Sequence, residues 1–323
     1  MRRLVVLAVV WAALVACTAD PPPAPPVPSE AGLVWRQLAV VPTSRTEVAA
    51  AADGPLILVA GGYTGDGATV ATVEVLDTTT QTWTAGPDLP VAVNHAMAAT
   101  VDDTVYVFGG YEHGNVPSRA AFRLEPSGWR RVADLPTGVA AGTAVEVGGI
   151  VYLAGGIVTG GTLSDRTLVY DVAADRWSTA AGLPTPREHL GGAGFGGLVY
   201  TVGGRTAADG NLTAFEVFDP RTGDWALRPD LPTRRGGLAA AATCNGQVIA
   251  VGGEAQETFA EAEAFDVASG TWRSLPDLPT PRHGLGVVAI GPTLYTLAGG
   301  PHPGLHVAGA TEAIDLSTLG PCS

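Results

Sequence analysis

Four arginines occupy one position of a segment that recurs along this chain, and other polar side chains lie close to them in sequence. Arginine binds a carboxylate through two parallel hydrogen bonds, and tyrosine offers a flat face for stacking. These residue types predict a site for a polar, hydroxyl-bearing or carboxylated ligand. The candidate ligand-binding residues are Arg45, Glu47, His95, Tyr111, His113, Arg187, His189, Arg205, Arg235, Arg282 and His283.

Other kinds of chemistry lack the residues they need. The chain contains no lysine, which excludes Schiff-base and lysine-nucleophile catalysis. The six histidines show neither His-x-His nor His-Glu-x-x-His spacing. A metal site built from His113, His302 and His306 is therefore not favoured, and the sequence predicts neither a metal nor a cofactor.

The elements that must position these side chains are repeated. A double glycine recurs six times, at steps of 48, 46, 48, 49 and 47 residues. The pairs are Gly61-Gly62, Gly109-Gly110, Gly155-Gly156, Gly203-Gly204, Gly252-Gly253 and Gly299-Gly300. Six tryptophans keep the same register: Trp35, Trp83, Trp129, Trp177, Trp225 and Trp272. A period in this range indicates one supersecondary unit copied along the chain.

Each repeat reads as short β-strands. Segments rich in Val, Thr, Gly and Pro, without helical periodicity, predict four antiparallel strands per repeat. Radial repetition of such sheets hides their edges and gives a β-propeller. The expected fold class is therefore all-β, with six blades.

This repeated pattern of glycines, strands and tryptophans resembles that of the kelch-repeat family. Kelch blades carry a double glycine after the second strand, an acidic and aromatic third strand such as Glu216-Val-Phe-Asp219, and a tryptophan on the fourth strand. The resemblance covers roughly Trp35 to Leu319. It departs from the family pattern at Val93 and Val139, which stand in the arginine column. Because kelch blades often use arginine here for hydrogen bonding between blades, the resemblance favours an architectural role for Arg45, Arg187, Arg235 and Arg282.

The phase of the repeat predicts how the ring closes. Trp35 has no double glycine before it, and the last third strand, Glu312 to Asp315, has no tryptophan after it. We therefore expect the N-terminal strand around Trp35 to complete the C-terminal blade. The predicted organisation is a signal peptide (1–16), a lipidated Cys17 with a Pro-rich linker (17–34), the six-bladed kelch propeller (35–320) and a short tail (321–323).

The N-terminal segment predicts export and lipid anchoring. Met1-Arg2-Arg3 precedes an apolar run, Leu4 to Val15, which is too short to span a bilayer and is typical of a secretory signal. It ends in Leu14-Val15-Ala16-Cys17, which resembles a bacterial lipobox; the alternative is an ordinary cleaved signal. The proline-dense stretch that follows predicts an extended spacer. The expected location is the outer face of the bacterial cytoplasmic membrane, with the lipid as the only membrane contact.

Charge and cysteine content limit the partners. Without Arg2 and Arg3, 16 arginines face 31 acids, a net charge near −15. This charge argues against nucleic acid as a partner, because nucleic-acid binding needs clustered basic residues. We expect a monomer. Cys244 and Cys322 remain in an oxidising compartment and could form a disulfide, or could stay as two thiols.

Two functions are compatible with these patterns. Every loop from a double glycine to the third strand spans 10 to 12 residues, so no enlarged loop is available as a lid. This favours a non-enzymatic module that binds a protein or glycan at the cell envelope. The alternative is a sugar mutarotase or epimerase: the sialic acid mutarotases are similar six-bladed kelch propellers that use arginine and glutamate, for which Arg187, Glu188 and His189 are the candidates. Galactose oxidase is rejected because its copper site needs a cysteine that this chain assigns elsewhere.

Overall fold

The computed structural model describes residues 32–322. The predicted signal peptide, the lipobox with Cys17 and the linker up to residue 31 lie outside the described residues. Between residues 32 and 322, regular structure consists of β-strands and one 3₁₀ helix, Ser317–Leu319. No helix in this range has the length and hydropathy of a membrane span.

The strands form six four-stranded antiparallel sheets, which are the blades of a kelch-type β-propeller. One N-terminal strand, β1 (Trp35–Gln37), precedes blade 1. Blade 1 contains β2 (Ala49–Asp53), β3 (Leu56–Ala60), β4 (Val73–Asp77) and β5 (Thr82–Ala85). Blade 2 contains β6 (Met97–Val101), β7 (Thr104–Phe108), the short pair β8 (Tyr111–Glu112) and β9 (Val116–Pro117), β10 (Ala121–Glu125) and β11 (Gly128–Arg131). Blade 3 follows β12 (Val139–Ala140) and contains β13 (Thr143–Val147), β14 (Ile150–Ala154), β15 (Ile157–Val158), β16 (Thr162–Leu163), β17 (Thr167–Asp171) and β18 (Arg176–Ala180).

The second half repeats this arrangement. Blade 4 contains β19 (Gly191–Phe195), β20 (Leu198–Val202), the short pair β21 (Arg205–Thr206) and β22 (Gly210–Asn211), β23 (Phe215–Asp219) and β24 (Asp224–Leu227). Blade 5 contains β25 (Ala239–Ala242), β26 (Gln247–Val251), β27 (Ala262–Asp266) and β28 (Thr271–Ser274). Blade 6 contains β29 (Gly286–Ile290), β30 (Thr293–Leu297) and β31 (Thr311–Asp315).

Blade 6 is completed by the N-terminus, as the phase of the repeat predicts. Strand β1 pairs antiparallel with β31, with Trp35 opposite Ile314. The indole Nε1 of Trp35 donates to the carbonyl of Pro276 at 2.8 Å. The innermost strands of successive blades contact one another around the whole ring, including β29 of blade 6 against β2 of blade 1. The non-local strand therefore closes the propeller.

The double glycines fix the spacing between blades. The N–H of Gly62 donates to the carbonyl of Val93, at the start of the next blade, at 2.8 Å. A Cβ at Gly61 would collide with that same carbonyl oxygen, and Gly61 has a left-handed φ of 65°. Glycine meets both demands freely, and the same arrangement recurs in blades 1 to 5. In blade 6 Ala298, with φ of 56°, takes the place of Gly61, and Gly299 donates to the carbonyl of Arg45 at 2.7 Å.

The tryptophans connect blades from the outer side. Each indole N–H of the repeated series donates to a backbone carbonyl of the preceding blade, as Trp177 does to Ala133 and Trp225 to Ala181 at 2.8 and 3.0 Å. Inside, the first strands consist largely of small residues, such as Ala239–Ala242. Six strands converge on the central channel, so larger side chains would crowd one another there.

Cys244 and Cys322 form a disulfide with their Cα atoms 4.8 Å apart. This confirms the predicted pairing and joins the C-terminal segment to blade 5. An Asn-Gly pair favours a type I′ turn, but the turn at Asn245-Gly246 is of another type. Gly246 alone has a positive φ, and its N–H donates to Thr243, which describes a type I turn closed by a left-handed glycine.

Candidate functional site

Six residues, one from each blade, form a ring around one end of the central channel. Each lies twelve positions after a repeated tryptophan, in the loop that leads into the first strand of a blade. We call this set the mouth ring: Glu47, His95, Ala141, His189, Gly237 and Gly284. Their backbones are linked by hydrogen bonds of 2.8–3.0 Å, from the N–H of one to the carbonyl of the previous one, and Val48 completes the circle at 3.3 Å.

All six mouth-ring residues have a left-handed backbone. Glycine adopts this conformation freely, but Glu47, His95 and His189 have φ of 54°, 50° and 52°. A left-handed residue with a Cβ costs roughly 1–3 kcal/mol, and such strain is concentrated at functional sites. The three chemically active side chains of the ring therefore stand at positions where glycine would be the stable choice.

Glu47 lies between two histidines. Its Oε2 is 3.2 Å from Nε2 of His95, and its Oε1 accepts a hydrogen bond from Nδ1 of His283 at 3.1 Å. The other nitrogen of His283 faces the carbonyls of His302 and Gly304 at 3.2 and 3.0 Å. Because acceptors surround both of its nitrogens, His283 is an imidazolium that donates on each side.

The protonation states of this group follow from burial and charge. Burial lowers the pKa of His95 to about 4 despite the nearby Glu47 carboxylate. Burial alone would also lower the pKa of His283, but the hydrogen bond and charge of Glu47, with the charge of Glu254, raise it above its ordinary value. Burial acts to raise the pKa of Glu47, yet His95 and His283 outweigh it and hold that pKa well below its usual range.

A second charged network continues from His189. Its Nδ1 lies 2.8 Å from Oε2 of Glu188, whose Oε1 accepts from Nε of Arg205 at 3.1 Å. Arg205 also donates to Glu254 at 2.8 Å. Burial would raise the pKa of Glu188, but the contacts with His189 and Arg205 lower it to about 2. Glu188 and Arg205 are therefore charged at neutral pH and hold each other in place.

Two tyrosines border the mouth ring. The rings of Tyr63 and Tyr111 meet the edge of His95 with centroids 6.0 and 5.5 Å away, and both side chains are partly exposed. Burial raises the pKa of Tyr111 to about 12. A cavity of about 440 Å³ lies above Glu47, His189, Arg205, Glu254 and His283, with Tyr63 in its wall. A second, of about 530 Å³, lies beside Tyr63 and Tyr111. Together they form an open funnel.

The arginine column is not part of this surface. Arg45, Arg187, Arg235 and Arg282 are fully buried. Each pairs with a third-strand glutamate at 2.5–2.8 Å: Glu74, Glu216, Glu263 and Glu312. Desolvation lowers the pKa of Arg282 to about 10, which still leaves it charged. The prediction that these four arginines contact a ligand is wrong, because their guanidinium groups lie within the blades, out of reach of a ligand.

The remaining candidates divide into two groups. Glu47, His95, His189, Arg205, His283 and Tyr111 are brought together around the funnel. His113 is not, because it is exposed in the turn between β8 and β9. Among Arg187, Glu188 and His189, the side chain of Arg187 is buried on Glu216, whereas His189 lines the funnel and Glu188 contacts both His189 and the guanidinium of Arg205.

The structure also brings together three groups that could bind a metal. One ligand atom from each of Glu47, His95 and His189 lies within 4.8 Å of the others, the one such set in residues 32–322. Sequence motifs for metal sites did not reveal it, because its members are 48 and 94 residues apart. The signal that could have found it is the repeat itself: those distances are one and two blades, and the residues occupy equivalent positions.

Comparison with known proteins agrees with this architecture. Residues 44–90, 186–232 and 235–279 match the family model of the Kelch motif. Kelch-like protein 23 of Homo sapiens is 30% identical over 151 residues, which are 45% of this chain and 27% of the human protein. Kelch-like protein terF of Aspergillus terreus is 33% identical over 153 residues, 42% of this chain and 33% of that protein. The chain thus spans a third or less of the curated relatives it matches.

A solved structure shows the same fold. The structure of YjhT superposes with a TM-score of 0.73 at 16% identity, covering 85% of this chain and 95% of that one. At this identity the likeness establishes the fold alone. The kelch motifs and the propeller architecture are therefore shared, and the function must be argued from the funnel.

Proposed function

We propose that this kelch propeller is a binding module of the bacterial cell envelope and that a glycan occupies its funnel. One observation carries the proposal: two partly exposed tyrosines, Tyr63 and Tyr111, border an open funnel that is also lined by Arg205 and Glu254, which an ion pair holds in place. A protein segment is the other class of ligand that the sequence allows.

The funnel offers the contacts that a saccharide needs. Tyrosine presents a large, rigid apolar face at low entropic cost, against which the C–H face of a sugar ring can stack. The carboxylates accept hydrogen bonds from sugar hydroxyls, and Arg205 donates to ring or carboxylate oxygens. Because these charged groups already hold one another, little order must be gained on binding.

The funnel is open. In the described chain, the loops between second and third strands contain only two-residue strands such as Arg205–Thr206 and Gly210–Asn211, or isolated bridges. Enzymes commonly close a lid over the substrate to exclude water. An open platform supports binding in preference to enclosed catalysis.

The pKa values of the acid and base groups also favour binding over catalysis. General acid–base catalysis is most efficient when the pKa of the group lies near the working pH. The pKa of Glu188 is held at about 2 and that of His95 at about 4, so both are poor proton acceptors near neutrality. The mutarotase alternative, which needs such a group, has less support for this reason, and Arg187 is buried and cannot take part in it.

Two kinds of feature support the envelope location: sequence motifs that precede residue 32, and a disulfide within the described residues. The apolar segment before Cys17, the lipobox-like sequence and the proline-dense spacer together provide a signal, an acylation site and a tether. The disulfide between Cys244 and Cys322 suits an oxidising compartment. A lipid-anchored propeller held off the membrane presents its funnel to envelope polymers.

A glycan array tests this function. The purified protein should bind a restricted set of saccharides, Tyr63→Ala should weaken binding by about 10-fold or more, and Tyr63→Phe, which keeps the ring, should bind almost normally. Binding that is lost equally in both variants would remove the stacking argument. If no saccharide binds and an envelope protein is captured through the funnel instead, the ligand is a protein.

A further inference from the structure

We propose that Glu47, His95 and His189 form a binding site for a divalent first-row transition metal ion, with Zn²⁺ as the reference ion, at the mouth of the central channel. The three residues come from equivalent positions of blades 1, 2 and 4. The site goes beyond the glycan-binding role, and its test is independent of any saccharide.

His95 is oriented as a metal ligand. Its Nδ1 lies 2.6 Å from Oδ1 of Asn94. The amide of Asn94 is fixed, because its Nδ2 donates to Thr69 and to the carbonyl of Tyr111 at 2.8 and 3.3 Å. Oδ1 must then be the acceptor, so the proton of the imidazole sits on Nδ1. The lone pair of Nε2 points towards Glu47.

His189 is oriented in the same way by a carboxylate. Its Nδ1 donates to Oε2 of Glu188 at 2.8 Å, and Arg205 holds the other oxygen of that carboxylate. The side chain of His189 is only 8% exposed, and no hydrogen-bond donor from residues 32–322 reaches its Nε2. A second partner on the far nitrogen is the usual means by which proteins orient metal-binding histidines.

The contact between His95 and Glu47 calls for a cation. Nε2 and Oε2 are 3.2 Å apart, and with the proton on Nδ1 both are acceptors. Atoms that share a metal through bonds of about 2.0–2.2 Å stand about this far from each other. A metal ion would relieve the repulsion; so would a second proton on His95, and the titration below separates the two.

The donor set selects the class of metal. Two imidazole nitrogens and one carboxylate suit Zn²⁺, Co²⁺, Ni²⁺ or Fe²⁺, whereas Ca²⁺ and Mg²⁺ prefer oxygen alone. Three protein ligands leave at least one coordination position open, and here it faces the funnel. The carboxylates of Glu47, Glu188 and Glu254 exceed the charges of Arg205 and His283 by one, so the site attracts a cation.

Calorimetric titration of the purified, tag-free and chelator-treated full-length chain with Zn²⁺ tests the site. One ion should bind per chain, and Mg²⁺ or Ca²⁺ should not compete. His95→Asn and His189→Asn should each weaken binding more than ~100-fold, and asparagine tolerates the left-handed backbone. Glu188→Gln, which loosens the orienting contact, should weaken it about 10- to 100-fold. Co²⁺ should give visible absorption bands that disappear in the same variants.

The control is the exposed pair His302 and His306, whose rings lie 5.3 Å apart. Replacing both by asparagine should leave zinc binding unchanged. Wild-type protein that binds no zinc would overturn the proposal, as would equal affinity in wild type and His95→Asn. Loss of binding only in the His302 and His306 variant would place the metal on the surface pair and would also overturn it. Thermal unfolding without zinc identifies any variant that fails to fold. If a histidine variant does not fold, the zinc affinity of Glu188→Gln decides whether the site is correct.

Discussion

The guanidinium of Arg187 lies 2.5 Å from the carboxylate of Glu216, and both side chains are completely buried. Arg187 also donates to the carbonyls of Gly203 and Thr185 and to the hydroxyl of Thr201. In blade 3 the equivalent positions are Val139 and Leu168, which pack in one apolar cluster. The repeat therefore uses two different solutions at equivalent positions, an ion pair in blade 4 and an apolar pair in blade 3.

Removing one partner of the ion pair should be strongly destabilising. Arg187→Val leaves the carboxylate of Glu216 buried without its counter-charge, which costs about 3–5 kcal/mol. The double change Arg187→Val with Glu216→Leu copies blade 3 and should recover part of that loss. Denaturant unfolding of the three proteins measures this; a double variant less stable than the single one would show that the blades are not interchangeable.

Ring closure depends on β1. Deleting residues 31–42 removes the strand that pairs with β31 and the indole of Trp35, leaving an exposed edge on blade 6. We expect a lower melting temperature and aggregation, followed by thermal unfolding and light scattering. A chain without residues 31–42 that melted like the parent would contradict the pairing of β1 with β31 as the closure of the ring.

Asp175 should make stability sensitive to acid. The hydroxyl of Tyr170 and the N–H of Ala133 donate to its carboxylate at 2.6 and 2.8 Å, and these bonds lower its pKa. A depressed folded-state pKa gives stability that is present above the unfolded value of about 3.9 and is lost as the pH falls through the folded value. Because the side chain is exposed, the effect is small, about 0.5–1 kcal/mol.

Asp175→Asn provides the comparison. Asparagine suits the left-handed φ of 46° and cannot titrate. Between pH 5 and pH 3 the wild type should therefore lose more stability than the variant, as measured by urea unfolding at each pH. Equal losses of stability in both proteins would mean that the Asp175 carboxylate does not stabilise the contact between blade 3 and Ala133 of blade 2.

The lipid anchor is tested by Cys17→Ser. Acylation needs the thiol, so incorporation of an alkynyl fatty acid should vanish and the protein should leave the membrane fraction. Cys322→Ser is the matched control, since it removes a cysteine of the propeller without affecting the lipobox. Label that persisted in Cys17→Ser would exclude the lipoprotein assignment.

The fold could be predicted from the sequence because each repeat carries its own geometric requirements. Gly61 must approach the carbonyl of Val93, a need that recurs in blades 1 to 5, and Trp177 must reach the carbonyl of Ala133, a need that recurs in all six blades. Six copies in register leave few alternatives. The pairing of the N-terminal strand around Trp35 with blade 6 could be predicted from the phase of the repeat. The turn at Asn245 was not predictable, because a type I turn with Gly246 satisfies the same two-strand connection.

The site was only partly predictable, because function lies in the departures from the repeat. We predicted Arg45 and Arg187 as ligand contacts because arginine recurs at their position in the repeat. A residue that recurs at one position stabilises the blades instead. His95 and Glu47 were recognised as polar loop residues, but their 3.2 Å contact depends on the loops of two neighbouring blades meeting at the mouth of the channel. Only the closed ring brings together residues one and two blades apart.

The central claim is that the funnel binds a saccharide without converting it. Proton NMR on the purified protein with N-acetylneuraminate, galactose, glucose and any glycan identified on the array reports both properties in one sample. We expect saturation transfer from protein to the recognised glycan, lost in Tyr63→Ala, with anomers exchanging at the rate seen in buffer. Acceleration of anomer exchange that disappeared in a Glu188→Gln and His189→Asn variant would contradict it and establish a mutarotase.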